Sequence, residues 1–194
     1  VENMELYVRS RCDYGIMEFV FGGGAMYPET ERLYMRKLAP SDHDALCAIL
    51  QDEATMYAYA GAFCDAEVRE WLDRQLARYR KWGFWLWAVV LKESGEPIGQ
   101  CGLTMQPWKD TEVLEIGYLF NRKFWHQGYA TEAAAACKQY AFEVLNAEEV
   151  CSIICDMNLP SQNVARRIGM APVDSWTKHY RGIDMPHDRF VVTR

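Results

Sequence analysis

The stretch Phe124-Trp125-His126-Gln127-Gly128-Tyr129-Ala130-Thr131-Glu132 holds the residue types and spacing most able to do chemistry in this chain. An apolar, β-rich segment precedes it over residues 113–120, and a helix-like run comes after it over residues 133–145. A strand that turns through a glycine into a helix leaves several backbone N–H groups without partners inside the helix. Those donors, with the positive end of the helix dipole, make a site for an anion. Gly128 lets the chain come close to a ligand with no Cβ in the way, and Ala130 is the next smallest side chain. The other reading of these letters is an ordinary strand-to-helix turn with no ligand. Two better-known phosphate sites are excluded, because neither G-x-x-x-x-G-K-[ST] nor G-x-G-x-x-G is present.

What remains is an anion held mostly by backbone, with no metal-binding Ser or Thr in the usual place; the diphosphate of coenzyme A fits such a site. The same letters resemble the acetyl-CoA-binding motif of the GNAT N-acetyltransferases, Q/R-x-x-G-x-G/A. More narrowly they resemble the W-x-x-G-Y-A-T-E-A form of the RimJ/RimL type, which includes ribosomal-protein N-terminal acetyltransferases. Trp125 stands at the Q/R position, Gly128 at the first Gly and Ala130 at the G/A. Thr30-Glu31-Arg32-Leu33-Tyr34-Met35-Arg36 resembles the T-E-R-L-x-L-R opening of that type, and Ile98-Gly99-Gln100-Cys101-Gly102-Leu103 its I-G-x-x-G-L block. Residues 158–170 resemble its N-x-x-S-x-x-V-A-x-x-x-G-F block, with Met170 for the usual Phe. The resemblance runs from about Thr30 to the C-terminus. It implies acetyl-CoA as cosubstrate and an amine acceptor, either a small molecule or a protein N-terminus. It also implies contacts to the diphosphate from Trp125, His126, Gln127, Gly128, Tyr129, Ala130 and Thr131. Backbone groups of Tyr118, Leu119 and Phe120 would pair with the pantetheine, and Asn158 and Asn163 would hold its amides.

The elements that must position these residues can be read in order. Alternation over residues 30–38 predicts a first strand. Pro40-Ser41-Asp42 opens a helix through Leu46, Ile49 and Leu50, and a second helix runs from near Asp65 to Gly83. In the family these two helices help wall the acceptor site. Strands are predicted over 84–91, 98–105 and 113–120, then a helix, a strand over 150–155 parallel to the 113–120 strand, and a short helix capped by Ser161 and ended by Gly169. Residues 176–180 and 189–192 form an antiparallel pair around Gly182, with 182–187 as linker. Strands in succession, then helix, strand and helix, give a mixed sheet with helices on its faces. With the resemblance, the expectation is an α/β (α+β) GNAT-like fold: a mostly antiparallel sheet of about seven strands containing one splayed parallel pair. The domain spans 30–194. Residues 1–29, with possible strands at 6–8 and 17–21, form an extension of unknown role.

At 194 residues, half of them hydrophobic, the chain can bury a real core. Twenty-one Lys and Arg against 27 Asp and Glu give a net charge of −6, the opposite of a nucleic-acid-binding footprint. No apolar run spans a membrane and the N-terminus has no signal-peptide core. The seven cysteines are odd in number and scattered, which reads as reduced cytoplasmic thiols filling core space. His43, His126, His179 and His187 lie far apart and give no metal-ligand spacing. The protein is therefore expected to work in the cytoplasm, as a monomer or homodimer, without metal, nucleic acid or membrane.

In the implied reaction the amine attacks the thioester directly, so no Ser or Cys nucleophile is needed. The amine must first lose a proton. A peptide α-amine with pKa about 8 is roughly 10% neutral at pH 7, a penalty of about 1.4 kcal/mol; a Lys amine is neutral about 0.04% of the time, nearer 4.6 kcal/mol. Glu115, on the strand ahead of Ile116-Gly117-Tyr118, is the first candidate base and Glu112 the second. Ser161 is the candidate donor to the leaving thiolate, with Tyr180 behind it; His179 and His187 could reach the acceptor side. Each of these residues also has an ordinary structural reading: a solvent-facing Glu, a helix cap, a packed aromatic. A non-catalytic acyl-CoA-binding or protein-interaction module on the same fold is the alternative function.

Overall fold

A computed structural model describes residues 27–194. Seven strands form one sheet in the order β1-β2-β3-β4-β5-β7-β6. They are β1 (Leu33–Lys37), β2 (Leu86–Leu91), β3 (Pro97–Trp108), β4 (Thr111–Phe120), β5 (Glu149–Cys155), β6 (Ala171–Tyr180) and β7 (Ile183–Thr193). The helices are α1 (His43–Leu50), α2 (Glu53–Met56), α3 (Asp65–Trp82), α4 (Tyr129–Glu143) and α5 (Leu159–Arg167). Every neighbouring pair is antiparallel except β4 and β5, which run parallel and share the single register pair Glu115↔Cys151. The expected mixed sheet with a splayed parallel pair is what the chain forms.

Strand alternation sorts the side chains between two helical layers. On β3, Cys101 faces α4, its sulfur 3.5 Å from that of Cys137, while Gln100 faces α3 and accepts from the Trp71 indole at 3.2 Å. Trp87, one strand over and 1% exposed, meets Tyr140 of α4 edge to face with centroids 5.3 Å apart. Residues 27–29 turn back beside the sheet: Tyr27 lies edge-on to Trp87, and the Met35 amide donates to the Pro28 carbonyl at 3.1 Å. The possible strands at 6–8 and 17–21 fall outside the described residues.

Helix α3 shows why the sequence starts and stops where it does. The Glu67 carboxylate accepts from the Cys64 amide at 2.7 Å, and Gly83, at φ 75°, caps the other end by donating to the Tyr79 carbonyl. Val68, Leu72, Gln75 and Tyr79 form its buried stripe. The Tyr79 hydroxyl accepts from the Leu38 amide and donates to the Leu86 carbonyl, tying the end of β1 to the start of β2.

Three boundaries differ from expectation. α4 begins at Tyr129, directly after Gly128, so the first turn holds Ala130 and Thr131. The segment 183–187 is strand rather than linker, because Arg181 and Gly182, at φ 50° and 79°, make a two-residue hairpin turn and pairing resumes at Tyr180↔Ile183. Asn158, not Ser161, caps α5: its side-chain oxygen accepts from the Ser161 amide at 3.2 Å.

At the end of β1 the Arg36 guanidinium makes two 2.7 Å contacts to Asp42, which also accepts from the Ala39 amide at 2.8 Å. Burial alone would raise the Asp42 pKa, but the guanidinium and the amide outweigh it and the net shift is downward. A carboxyl with a lowered folded pKa contributes stability above its unfolded pKa, about 3.9, and loses that contribution as pH falls through the folded value. Asp42→Asn should therefore cost about 2 kcal/mol at pH 7, less than for a fully buried pair because Arg36 is partly exposed. Urea unfolding should show the difference between wild type and Asp42→Asn narrowing below about pH 4.

Candidate active site

The β4–β5 pair is the centre of the site. Past Glu115↔Cys151 the strands part, and side chains satisfy the first backbone groups that lose their partners. The Ile153 amide donates to Glu115 Oε1 at 3.2 Å, and the Ser152 hydroxyl donates to the Ile116 carbonyl at 2.9 Å. Beyond this point β4 is paired on its β3 side only, through Gly117, Tyr118 and Leu119. The opening leads into a cavity of about 340 Å³. Its wall includes Glu115, Tyr118, Leu119, Asn158 and Ser161, together with Lys178, Tyr180, His179 and His187.

Glu115 is fixed from two sides. Its other oxygen accepts from the Thr104 hydroxyl at 3.0 Å, and Gln106 donates to that hydroxyl at 3.1 Å. Burial pushes the Glu115 carboxyl above the ordinary glutamate value; the Lys178 charge, the Ile153 amide and Thr104 oppose this without cancelling it. Burial pushes the Lys178 ammonium down, against the pull of Glu115 and Cys151. His187 is also shifted down by burial, despite the 2.8 Å contact of its Nδ1 with the Met185 carbonyl. Burial raises the Cys155 thiol pKa, so this cysteine in the wall is held protonated.

The loop after β4 has the geometry of an anion cradle. Gly128 sits at φ 84° and His126 at φ 61°, a left-handed conformation that costs a non-glycine residue of order 1 kcal/mol. Among the described residues nothing accepts from the amides of Gln127, Gly128, Tyr129, Ala130 or Thr131; the first amide of this run with a backbone partner is that of Glu132, on the Gly128 carbonyl. Trp125 has a different place. Its amide donates to the Arg122 carbonyl and its indole to the Phe120 carbonyl at 2.9 Å, so it ties down the end of β4. Phe120 does not line the cavity. Tyr118 sends its hydroxyl to the Ser161 carbonyl at 2.7 Å, linking β4 to α5. Asn163 is exposed and outside the cavity wall, and Glu112 is exposed near the β3–β4 turn.

Several residues of this region carry roles that the letters alone do not announce. Arg32 forks onto Glu132 (Nε to Oε2 at 2.7 Å), donates to the Gln127 carbonyl at 3.1 Å and lies over the Tyr129 ring at 4.4 Å; Thr30 donates to the same carboxylate at 2.6 Å. The T-E-R and A-T-E blocks are thus two halves of one clamp. Thr104 was findable: a turn at Lys109-Asp110 sets Trp108 opposite Thr111 and hence Thr104 opposite Glu115. Histidine spacing by itself also passes over Cys47, one turn after His43. With Asp65 these residues bring three ligand atoms within 4.8 Å of one another, and none of the three lines the cavity.

Comparison with known proteins agrees with this geometry. The profile of the Acetyltransferase (GNAT) domain matches residues 32–171. The chain is 34% identical over 153 residues to the uncharacterized protein YkkB of Bacillus subtilis, covering 77% of this chain and 89% of that one. The crystal structure of an acetyltransferase from Agrobacterium tumefaciens is 27% identical with a TM-score of 0.72, covering 93% and 100% of the two chains. The ribosomal-protein-S5-alanine acetyltransferase of Vibrio fischeri shares the fold at 16% identity and a TM-score of 0.69, covering 87% and 96%. The chain belongs to the GNAT family of acetyltransferases, enzymes that use acetyl-CoA as cosubstrate. Among the described residues no helix is long and apolar enough to cross a membrane.

The Arg32 clamp gives a direct test of the loop's support. Glu132→Gln removes the charge that Arg32 and Thr30 share, and should lower stability by about 1 kcal/mol, a partly exposed ion pair reinforced by hydrogen bonds. Thermal unfolding with and without about 0.5 M salt checks it: the gap between wild type and variant should shrink in salt.

Proposed function

We propose that this protein is an N-acetyltransferase of RimJ/RimL type that moves acetyl from acetyl-CoA directly to a primary amine, with Glu115 as the base. The observation that carries this reading is the position of Glu115. Its carboxylate stands where the parallel strands part, faces the cavity, and is oriented by Thr104 and the Ile153 amide. A buried carboxylate with a raised pKa accepts a proton more readily than an exposed one. An α-amine with pKa about 8 asks only a modest base, so a glutamate suffices for it.

Bound acetyl-CoA supplies the thioester. This chain would supply the rest. The free amides of the loop and first turn, from Gln127 to Thr131, would hold the diphosphate, with the Arg32 guanidinium beside them. The unpaired edge of β4 at Gly117, Tyr118 and Leu119 would pair with the pantetheine, and an N–H there would polarise the thioester carbonyl. Asn158, in the cavity wall, would reach the pantetheine amides; Asn163, Phe120 and the Trp125 side chain would contribute through the shape of the strand end and α5. The amine nitrogen bonds to the acyl carbon, the carbon–sulfur bond breaks, and the amine's proton passes to Glu115 directly or through water. The sulfur takes its proton from the Ser161 hydroxyl or from solvent.

Glu115→Gln should lower kcat by about 10²-fold at neutral pH and leave acetyl-CoA affinity unchanged, as read by thiol release against an amine panel. Because burial raises the Glu115 pKa, the acid limb of kcat in the wild type should lie above the ordinary value of about 4.3 and be missing from the variant. Gly128→Asp places a side chain and a negative charge at a φ of 84° in the cradle, and should weaken acetyl-CoA binding at least about tenfold by calorimetry. Unchanged affinity would remove the diphosphate from this corner.

A further inference from the structure

The cavity wall also takes residues from α3, β2 and β3, and one of them is a cation. Arg78 lines the cavity with its guanidinium stacked on Trp85, 4.5 Å from the ring centroid. Among the described residues Arg78 has no carboxylate partner, and burial, then the charge of Arg74, pushes its pKa down. Trp85 is 2% exposed and its indole N–H has no acceptor. Gln100 is fully buried; its oxygen is taken by the Trp71 indole, which leaves Nε2 without a partner. Both residues belong to the cavity wall, but neither nitrogen presents accessible surface to it. Among the described residues Trp87 Nε1 and Gln75 Oε1 are the other buried side-chain atoms without partners.

A guanidinium in a cavity wall with no carboxylate partner marks a place where a ligand supplies the acceptor. The complement to its flat edge is a carboxylate, which takes two parallel bonds from arginine. Among the described residues the only acid in the cavity wall is Glu115, already holding Thr104 and Ile153. We infer that the acceptor is a small amino acid-like molecule, whose carboxylate pairs with the Arg78 guanidinium while its amine faces Glu115. This rests on the reading of Glu115 as the base, and it narrows the acceptor to an amino-carboxylate.

The test pairs each amine with its carboxamide, so that only the carboxylate changes. Thiol release is measured for a panel of amino acids and the matching amino acid amides, with wild type, Arg78→Met and Arg78→Lys. Wild type should favour the acids by at least about tenfold in kcat/KM, chiefly through KM. Arg78→Met should bring the acid-to-amide ratio to near one, and Arg78→Lys should restore part of it. Equal rates for acids and amides in wild type, or a ratio that survives Arg78→Met, overturns the inference. Thermal shift with the same panel separates the two claims. Stabilisation by acids but not amides, lost in Arg78→Met, sustains the carboxylate site even if no amine is acetylated, an outcome that would sink the proposed reaction instead. No stabilisation and no turnover by any acid overturns both.

Discussion

One parallel strand pair that stays together at a single residue pair and then parts is the constraint on which the rest depends. Parting strands expose backbone donors and acceptors, and in a buried place each orphan costs of order a kcal/mol or more. Here the first orphans are met by side chains: the Ile153 amide by Glu115, and the Ile116 carbonyl by Ser152. The far end is held shut. Asp174 on β6 accepts from the Trp108 indole, Lys109 and Arg189, so the tip of the β3–β4 hairpin cannot swing away from β6 and β7. Burial alone would raise the Asp174 pKa, but these three donors hold it well below the ordinary carboxylate range. The wedge opens in one direction only, toward the C-terminal ends of β4 and β5.

The connections leaving both strands suit that direction. After β4 the chain enters the Gly128 loop and α4; after β5 it enters α5, capped by Asn158. In open sheets the carboxyl ends of parallel strands are where ligands collect, because helix N-termini converge there. The Arg32–Glu132 clamp fastens the start of β1, at the opposite edge of the sheet, to the first turn of α4. It adds a cation beside the loop amides and fixes the loop by the Gln127 carbonyl, so the left-handed His126, unlike Gly128, is held by long-range contacts rather than by local preference.

Much of this could be read from the letters, because the elements that matter have local signatures. Gly83 and Gly128 both mark real helix ends at positive φ, alternation located β1, and an apolar, β-rich run located β4. The Gly128 motif located the loop whose amides lack partners. The parts that were not legible depend on distant pairing. Ser161 looked like a cap because Ser is a good one, yet Asn158 reaches the Ser161 amide first. The extent of β6 and β7 was hidden because Pro172, on the edge strand, Pro186, on its neighbour, and several charged residues dilute the pattern. Arg78 and Lys178 carry no local signal of a site; only tertiary packing brings them into the wall of a cavity.

Two glycines explain how that wall comes to include tryptophan and arginine. Gly102 and Gly117 face each other across β3 and β4, next to the Thr104↔Glu115 pair. A Cβ on Gly102 would lie 2.3 Å from the Trp85 carbonyl oxygen and 2.8 Å from the Leu86 Cα; one on Gly117 would lie 3.2 Å from the Leu86 side chain. The start of β2 can therefore sink onto the sheet only because these two positions are bare. That descent carries the Trp85 indole into the cavity, and the indole in turn carries the Arg78 guanidinium stacked upon it. Gly102 of the I-G-x-x-G-L block is thus a steric requirement of this wall, and a methyl group there would reshape the cavity without touching any charged residue in it.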